Sequence, residues 1–282
     1  MKTVQNVKIG ADNIAWITDP HINFICNVNG SVKQLGSYLQ QELNCDTLVI
    51  TGDISEGNRI IADVTELHNG WVSKGGKNTF FVTGNHDYYR SSWNKLDSDL
   101  AFLNGTIGGP VCLNGCNVII DDKTAIVGNS GWYDADCGNP YKLGMSDWSL
   151  VEEYAQTGGV KDLIIETSRA HANVQNVQLI TRVQELYNTG IRKITLLTHV
   201  PPWREAAWHM NSHSDDTWAP WMTNLQLGRM LCAVVDQLPE LNVQVLCGHT
   251  HSSGRCQPHP RIVCLTGRAD YGNVVMSGFV SL

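Results

Sequence analysis

Short apolar runs alternate along the first half of the chain with segments whose apolar residues recur every three or four positions. Asn13-Ile14-Ala15-Trp16-Ile17-Thr18 is rich in strand formers and stops at Asp19-Pro20-His21. Val32, Leu35, Leu39 and Leu43 then recur at helical spacing behind Ser31, a candidate N-cap. Thr47-Leu48-Val49-Ile50-Thr51 reads as the next strand, closed by Gly52-Asp53, and a helix is predicted near Ile60 to Trp71. Thr79-Phe80-Phe81-Val82-Thr83 forms the third run and ends at Gly84-Asn85-His86-Asp87. A helix starting at Ser91 or Ser92 carries Trp93, Leu96, Leu100 and Leu103. Such alternation predicts crossovers and an α/β fold with a mainly parallel, buried sheet. The polar clusters fall just after each strand, where α/β sheets gather ligand-binding groups.

The second half continues with Val118-Ile119-Ile120 and Thr124-Ala125-Ile126-Val127, joined by the acidic turn Asp121-Asp122-Lys123. The rhythm breaks over 131–163, a stretch rich in Gly, Trp, Tyr and Asp that reads as an inserted cap. A long helix is predicted over Lys161 to Thr189. Ile194-Thr195-Leu196-Leu197-Thr198 is a strand ending at His199, and Val243-Gln244-Val245-Leu246-Cys247 one ending at Gly248-His249. The tail from Arg261 to Leu282 has the pattern of closing strands. Without repeats, linkers or low-complexity tracts, the expectation is one domain over 1–282, with that cap and a lid loop around 201–222.

Composition narrows the function classes. The chain has 282 residues, 42% hydrophobic and 17% charged, as in ordinary globular proteins. A formal net charge of -7, from 20 Lys+Arg against 27 Asp+Glu, argues against wide nonspecific nucleic-acid binding. It leaves phosphate-bearing substrates open, because bound dications add local positive charge. Met1 to Asn6 does not read as the start of a signal peptide, and no apolar run is long enough to span a bilayer. Nine scattered cysteines fit buried, reduced thiols and a cytoplasmic protein. Cys112 and Cys116 form the one close pair. They flank Asn114-Gly115, a hairpin-turn signal, and read as structural because no second pair completes a zinc site.

Five polar clusters thus stand at five strand ends: Asp19-Pro20-His21, Gly52-Asp53, Gly84-Asn85-His86-Asp87, Thr198-His199 and Gly248-His249-Thr250-His251. Each alone has a plain structural explanation as a turn or a satisfied histidine. The five together do not. Carboxylate, imidazole and amide oxygen make a hard-to-borderline donor set suited to Mn, Fe or Zn without thiolate. Asp19 and His21, being alternate residues of an extended segment, are expected to face one ion together.

This set, in this order, resembles the calcineurin-like metallophosphoesterase family, whose motifs run Asp-x-His, Gly-Asp, Gly-Asn-His-Asp/Glu, His and Gly-His-x-His. The resemblance spans Asp19 to His251. It implies a four-layer sandwich of two mixed β-sheets flanked by helices, with the metal site at the C-terminal ends of strands. It further implies two divalent ions, manganese favoured. Asp19, His21 and His251 would hold one ion, Asn85, His199 and His249 the other, and Asp53 would bridge them. The expected activity is hydrolysis of a phosphodiester or phosphomonoester, the diester slightly favoured, by attack of a hydroxide bridging the ions. His86, next to ligand Asn85 but itself no ligand, is the candidate general acid, and Asp87 could orient its imidazole.

Four further residues are candidates for shaping the substrate pocket. Arg90 follows the third cluster, Trp132 lies in Gly131-Trp132-Tyr133-Asp134, and Trp203 and Arg204 follow His199 in a polar-aromatic loop. The phosphoester substrate could be a small molecule, a nucleotide or a nucleic acid. Protein dephosphorylation is disfavoured: Asp53 is followed by Ile54-Ser55-Glu56-Gly57 rather than the Val-Asp-Arg-Gly type of the protein Ser/Thr phosphatases, and the third motif ends in Asp87, not Glu. The competing expectation is a non-catalytic binding or scaffold protein that kept the fold. Filled ligand positions argue against it.

Overall fold

A computed structural model describes residues 2–4, 14–25 and 31–281. Its strands are β1 (Lys2–Val4), β2 (Ile14–Ile17), β3 (Thr47–Thr51), β4 (Asn78–Val82), β5 (Val111–Cys112), β6 (Cys116–Ile119) and β7 (Thr124–Gly128). They continue with β8 (Lys193–Leu197), β9 (Trp208–His209), β10 (Ser212–His213), β11 (Asn242–Cys247), β12 (Gly254–His259), β13 (Ile262–Thr266) and β14 (Met276–Val280). The helices are α1 (Val32–Leu43), α2 (Ile60–Ser73), α3 (Trp93–Leu103), α4 (Asp147–Leu150), α5 (Glu152–Ala155), α6 (Lys161–Asn188), α7 (Ala219–Met222) and α8 (Leu225–Gln237). The predicted strands and long helices recur within a few residues of their expected ends. Met1, Asn6, Asn13 and Cys26 lie outside the described residues, so the expectation for the N-terminus stays a reading of sequence.

Not one sheet but two form the centre. The first runs β14-β2-β3-β4-β5 and the second β1-β6-β7-β8-β11-β13-β12, with the small hairpin β9-β10 apart. Strands β2 to β5 pair in parallel while β14 joins antiparallel, and the second sheet mixes both senses, so each is a mixed sheet.

Why two sheets stack follows from the period of two along each strand. Ile14, Trp16, Val49, Phe80 and Val82 from the first sheet meet Val118, Ile126, Leu197 and Leu246 from the second in one core. Their alternate neighbours face outward onto helices. Ala15, Ile17, Leu48, Ile50 and Phe81 pack with residues of α1, α2 and α3, while Val127, Leu196 and Val245 pack with residues of α6 and α8. Because every central strand is apolar on both faces, neither sheet can stand alone, and helix, sheet, sheet, helix layering results.

Asn114-Gly115 corrects one local expectation. It is not a hairpin turn: β5 belongs to the first sheet and β6 to the second, so the Asn-Gly step carries the chain between sheets. Gly115, at φ 84°, supplies the left-handed backbone this sharp passage needs. The pairing of β6 with β7 across Asp121-Asp122-Lys123 is antiparallel, as the acidic turn implied. All eight described cysteines are free, six of them buried.

Parallel strands all point their C-terminal ends the same way. The stacked sheets therefore bring the ends of β2, β3, β4, β8 and β11 to one edge of the sandwich. Backbone hydrogen bonds stitch that edge together. Asp19 N donates to Gly52 O (3.1 Å), His21 N to Asp53 O (3.0 Å) and Gly248 N to His199 O (2.9 Å).

Candidate metal centre

At this edge the five motifs converge, although by a different local geometry from the extended alternation expected. Asp19, His21, Asp53, His249 and His251 all have left-handed backbones, with φ of 48°, 41°, 50°, 67° and 60°. For residues other than glycine this conformation is unfavourable, by about 1–3 kcal/mol each. These five side chains meet because the chain turns sharply back after β2, β3 and β11, rather than because alternate residues of a straight segment share a face.

One cup gathers Asp19, His21 and His251. His251 Nε2 lies 3.3 Å from Asp19 Oδ1 and 3.3 Å from His21 Nε2. A second gathers Asn85, His199 and His249. His199 Nε2 lies 3.1 Å from Asn85 Oδ1 and 3.2 Å from His249 Nδ1. Asp53 stands between them, its Oδ2 3.4 Å from His199 Nε2 and 3.8 Å from His21 Nε2. Asp19, His21, Asp53, Asn85, His199 and His249 are buried and His251 is partly so.

Hydrogen bonds behind these imidazoles decide which nitrogen is free. His199 Nδ1 is 2.8 Å from the carbonyl of Thr51, and His249 Nε2 is 2.8 Å from that of Trp221. A carbonyl can only accept, so these nitrogens carry protons and donate. In the neutral rings the remaining nitrogens, His199 Nε2 and His249 Nδ1, face each other as lone pairs beside Asn85 Oδ1. Facing lone pairs repel unless a proton on one ring or a cation between them intervenes, so with both rings neutral this donor set fits a divalent ion, the outer carbonyls fixing the tautomers. Groups of ligand atoms within 4.8 Å of one another occur in Asp19–His21–His251 and in Asp53–His199–His249. A third such group, His21–Asp53–His86, overlaps both.

In the protein alone, the buried Asp19 and Asp53 carboxylates and the His199 imidazole hold one another charged. Against the desolvation of burial, the His199 imidazole holds Asp53 well below the usual carboxylate range. Asp19 is lowered in the same way by His199 and His251. Asp53 and Asp19 in turn push His199 up to about 10, while burial takes His21 and His249 down to about 4. The two buried carboxylates are thus balanced, in the protein alone, by the charge on the His199 and His251 imidazoles.

Glycine is required where the loops touch. A Cβ at Gly84 would collide with the Asp53 carboxylate and backbone and come within 2.7 Å of His199 Nε2. Gly84→Ala is therefore expected to displace Asp53 and His199 together. Its measurable result is loss of bound metal, by elemental analysis, with far-ultraviolet circular dichroism unchanged.

His86 sits at the mouth of the site. Its backbone N donates to Asp53 Oδ1 (2.9 Å), its Nε2 lies 3.9 Å from Asp53 Oδ2, and its ring stacks on Tyr89 at 4.3 Å. Asp87 does not orient it. Both Asp87 oxygens accept backbone N–H groups, from Ser55 and Gly84, each at 2.8 Å, so this buried carboxyl ties the third loop to the second. Burial and Asp53 also push Asp87 up to about 8, removing the charge an imidazolium partner would need.

The cleft over the site has a volume of about 500 Å³. Tyr89, Asp147, His209, Trp218, Met222 and Tyr271 help to line it, together with His86. Segment 131–163 contributes through Gly144 to Asp147 and Leu150, and the loop after His199 through His209, Trp218 and Met222. The four residues expected to shape the pocket do not line it. Trp132 is buried in an aromatic cluster, its Nε1 donating to Tyr154 Oη. Trp203 packs in the core beneath α8, Arg204 pairs with Asp216 (2.8 Å), and Arg90, not itself in the lining, pairs with Glu56, a residue of the cleft wall. Besides Tyr89, which directly follows the third motif, two residues that no motif marked, Asp147 and Tyr271, stand in the wall. Tyr271 stacks on His21 at 4.5 Å, Tyr89 donates to Asp147 Oδ2 (3.1 Å), and Asp147 also receives Tyr133 Oη (3.2 Å). Adjacency to the third motif was a usable signal for Tyr89. Tyr271, in the turn before β14, and Asp147, at the start of the short helix α4, had none.

A two-sheet α/β sandwich with histidine and carboxylate loops at one edge is the architecture of metal-dependent phosphoester hydrolases. The chain belongs to the calcineurin-like phosphoesterase family, whose model matches residues 13–253. That membership makes it a phosphoester hydrolase that works with divalent metal ions. No curated protein sequence matches it. Among solved structures it is similar to a dimetal phosphatase from Danio rerio, at 14% identity and TM-score 0.54, covering 92% of this chain and 87% of that one. It is also similar to the protein TT1561 of Thermus thermophilus, at 11% identity and TM-score 0.50, covering 93% and 91%. At such identities the likeness is one of fold. No described helix is long and apolar enough to cross a membrane.

Proposed function

We propose that the chain hydrolyses a phosphodiester of a small molecule or nucleotide with the help of two divalent ions, manganese favoured. Asp19, His21 and His251 would hold one ion, Asn85, His199 and His249 the other, and Asp53 both. The observation that carries this is the central Asp53 carboxylate, within 4 Å of His21 and His199, one from each cup. When bound, the ions supply the Lewis acidity that makes water a nucleophile near neutral pH and offsets charge on the phosphoryl oxygens. His86 delivers a proton from Nε2 to the departing oxygen, its ring held by stacking on Tyr89 and by its backbone bond to Asp53. The tyrosine is fixed in turn by Asp147. Segment 131–163 and loop 201–222 act as cap and lid, each placing side chains in the cleft wall. A cytoplasmic setting is consistent with the free, mostly buried thiols.

Preference for a diester rests on the wall itself, whose lining contains no lysine or arginine among the described residues. Apart from the proposed metal ligands, a terminal phosphate carrying two charges would find no free guanidinium or ammonium in that lining, only the His86 and His209 imidazoles, while a singly charged diester needs less neutralisation. The test compares aryl phosphodiester and phosphomonoester hydrolysis by protein stripped with chelator and reloaded with Mn²⁺. The diester is expected to lead in kcat/KM by roughly tenfold, about 1.4 kcal/mol of transition-state stabilisation. Equal or reversed rates would refute the preference. Inactivity on both, with metal bound, would refute the hydrolytic reading of this site.

A further inference from the structure

Away from the metal centre, a second cavity of about 380 Å³ runs beside α6, between that helix, the start of α3 and the passage linking the two sheets. Polar groups in its wall have unmet hydrogen-bonding capacity. Trp93 Nε1 and Arg182 Nε are buried donors without an acceptor, and Asn114 Oδ1, Asn129 Oδ1 and Glu153 Oε2 are buried acceptors without a donor. Buried polar atoms are nearly always paired, so a cluster of five such atoms around one cavity points to a ligand that completes them. Arg182 and Asn129 are only 3% and 5% exposed.

Charge sets the ligand's direction. Arg182 spends its terminal nitrogens on neutral acceptors, namely Leu113 O, Cys116 O, Asn117 Oδ1 and Gly128 O. No carboxylate lies within ion-pair distance of it among the described residues, which is unusual for a buried cation. The carboxylates in the lining are those of Asp97, on α3, and of Glu153, which meets the start of that helix. Glu153 Oε1 accepts from Trp93 N (2.9 Å), and Trp93 stacks on His171 at 3.6 Å. His171 and Arg182 both lie on α6, separated along its axis by roughly 16 Å at 1.5 Å per residue. The trough therefore has an acidic end, where Glu153 meets Trp93, and a cationic end at Arg182, and its wall also carries the Asn114 and Asn129 amides.

We propose that this trough binds a short extended zwitterion of the peptide class, with its ammonium towards Glu153 and its carboxylate towards Arg182. A tripeptide spans about 10 Å at 3.3–3.6 Å per residue, leaving the reach of the two side chains to close the ends. Its backbone offers the donors and acceptors that the wall lacks. This site is independent of the hydrolytic chemistry.

Titration calorimetry on the metal-loaded protein with trialanine, N-acetyl-trialanine and trialanine amide tests it. Trialanine is expected to bind once per chain, and each blocked form at least tenfold more weakly. Glu153→Gln, which keeps the acceptor for Trp93 N, is expected to remove the advantage of the free amino terminus while leaving that of the free carboxylate. Asp53→Asn is expected to leave peptide binding unchanged. Equal binding of free and blocked peptides, no saturable heat with any of them, or a crystal soaked in trialanine that shows only water joining these five atoms would overturn the proposal.

Discussion

Asp53→Asn is expected to lower kcat on an aryl phosphodiester by on the order of 10³-fold and to reduce bound metal to one ion per chain or fewer. The substitution is nearly isosteric and changes one charge. Its backbone carbonyl still accepts from His21 N, and the retained amide oxygen can still accept from His86 N, so the loop framework survives. What disappears is the shared negative charge between the two cups. Without it, two dications a few ångströms apart repel with nothing between them to offset the repulsion, and the affinity for the second falls. Lewis-acid stabilisation by such ions is worth several kcal/mol, and each 1.36 kcal/mol is tenfold in rate, which sets the expected loss. Elemental analysis after gel filtration, beside steady-state kinetics, checks both parts. A variant that kept two ions and full turnover would remove Asp53 from the centre of the site.

Asp53 is identifiable from the chain alone, and the reason shows which information a single sequence holds. A Gly-Asp step after an all-apolar strand is legible because strand periodicity is local, and because α/β sheets put functional groups at strand ends. The two-sheet stacking was not legible from periodicity. Trp16 and Val49 look the same in sequence whether a helix or a second sheet covers them; the family resemblance supplied that expectation. The Asn114-Gly115 step shows the same limit. Its turn chemistry is legible, but whether the flanking strands pair with each other depends on partners far along the chain.

The substrate-facing residues were the least legible part, for a physical reason. Trp132 and Trp203 carry large apolar surfaces that the core competes for, and the core won in both cases. Arg90 and Arg204 are engaged by carboxylates close in space, Glu56 at the cleft wall and Asp216 away from it, rather than left free to meet a substrate. Tyr271 reaches the site from the stretch before β14 and stacks on His21 across 250 positions of sequence. No local pattern encodes such a contact.

His86→Ala is expected to leave both ions in place and to reduce kcat by about 10² to 10⁴ on substrates with poor leaving groups, the usual range for loss of a general acid. On an activated nitrophenyl ester the loss should be far smaller, because that leaving group departs without a proton. The difference between substrates separates proton delivery from structural damage, which would depress both equally. It also separates acid from ligand. His86 Nε2 falls within reach of His21 and Asp53 in the overlapping ligand group, so the geometry allows it to take part in binding an ion. If it does, the alanine variant loses metal and slows on every substrate alike. If it does not, metal stays and the leaving-group dependence steepens. Tyr89→Phe refines the distinction, since it keeps the stacked ring but cuts the hydrogen bond to Asp147. A positioning role predicts a partial version of the His86→Ala pattern, again confined to poor leaving groups.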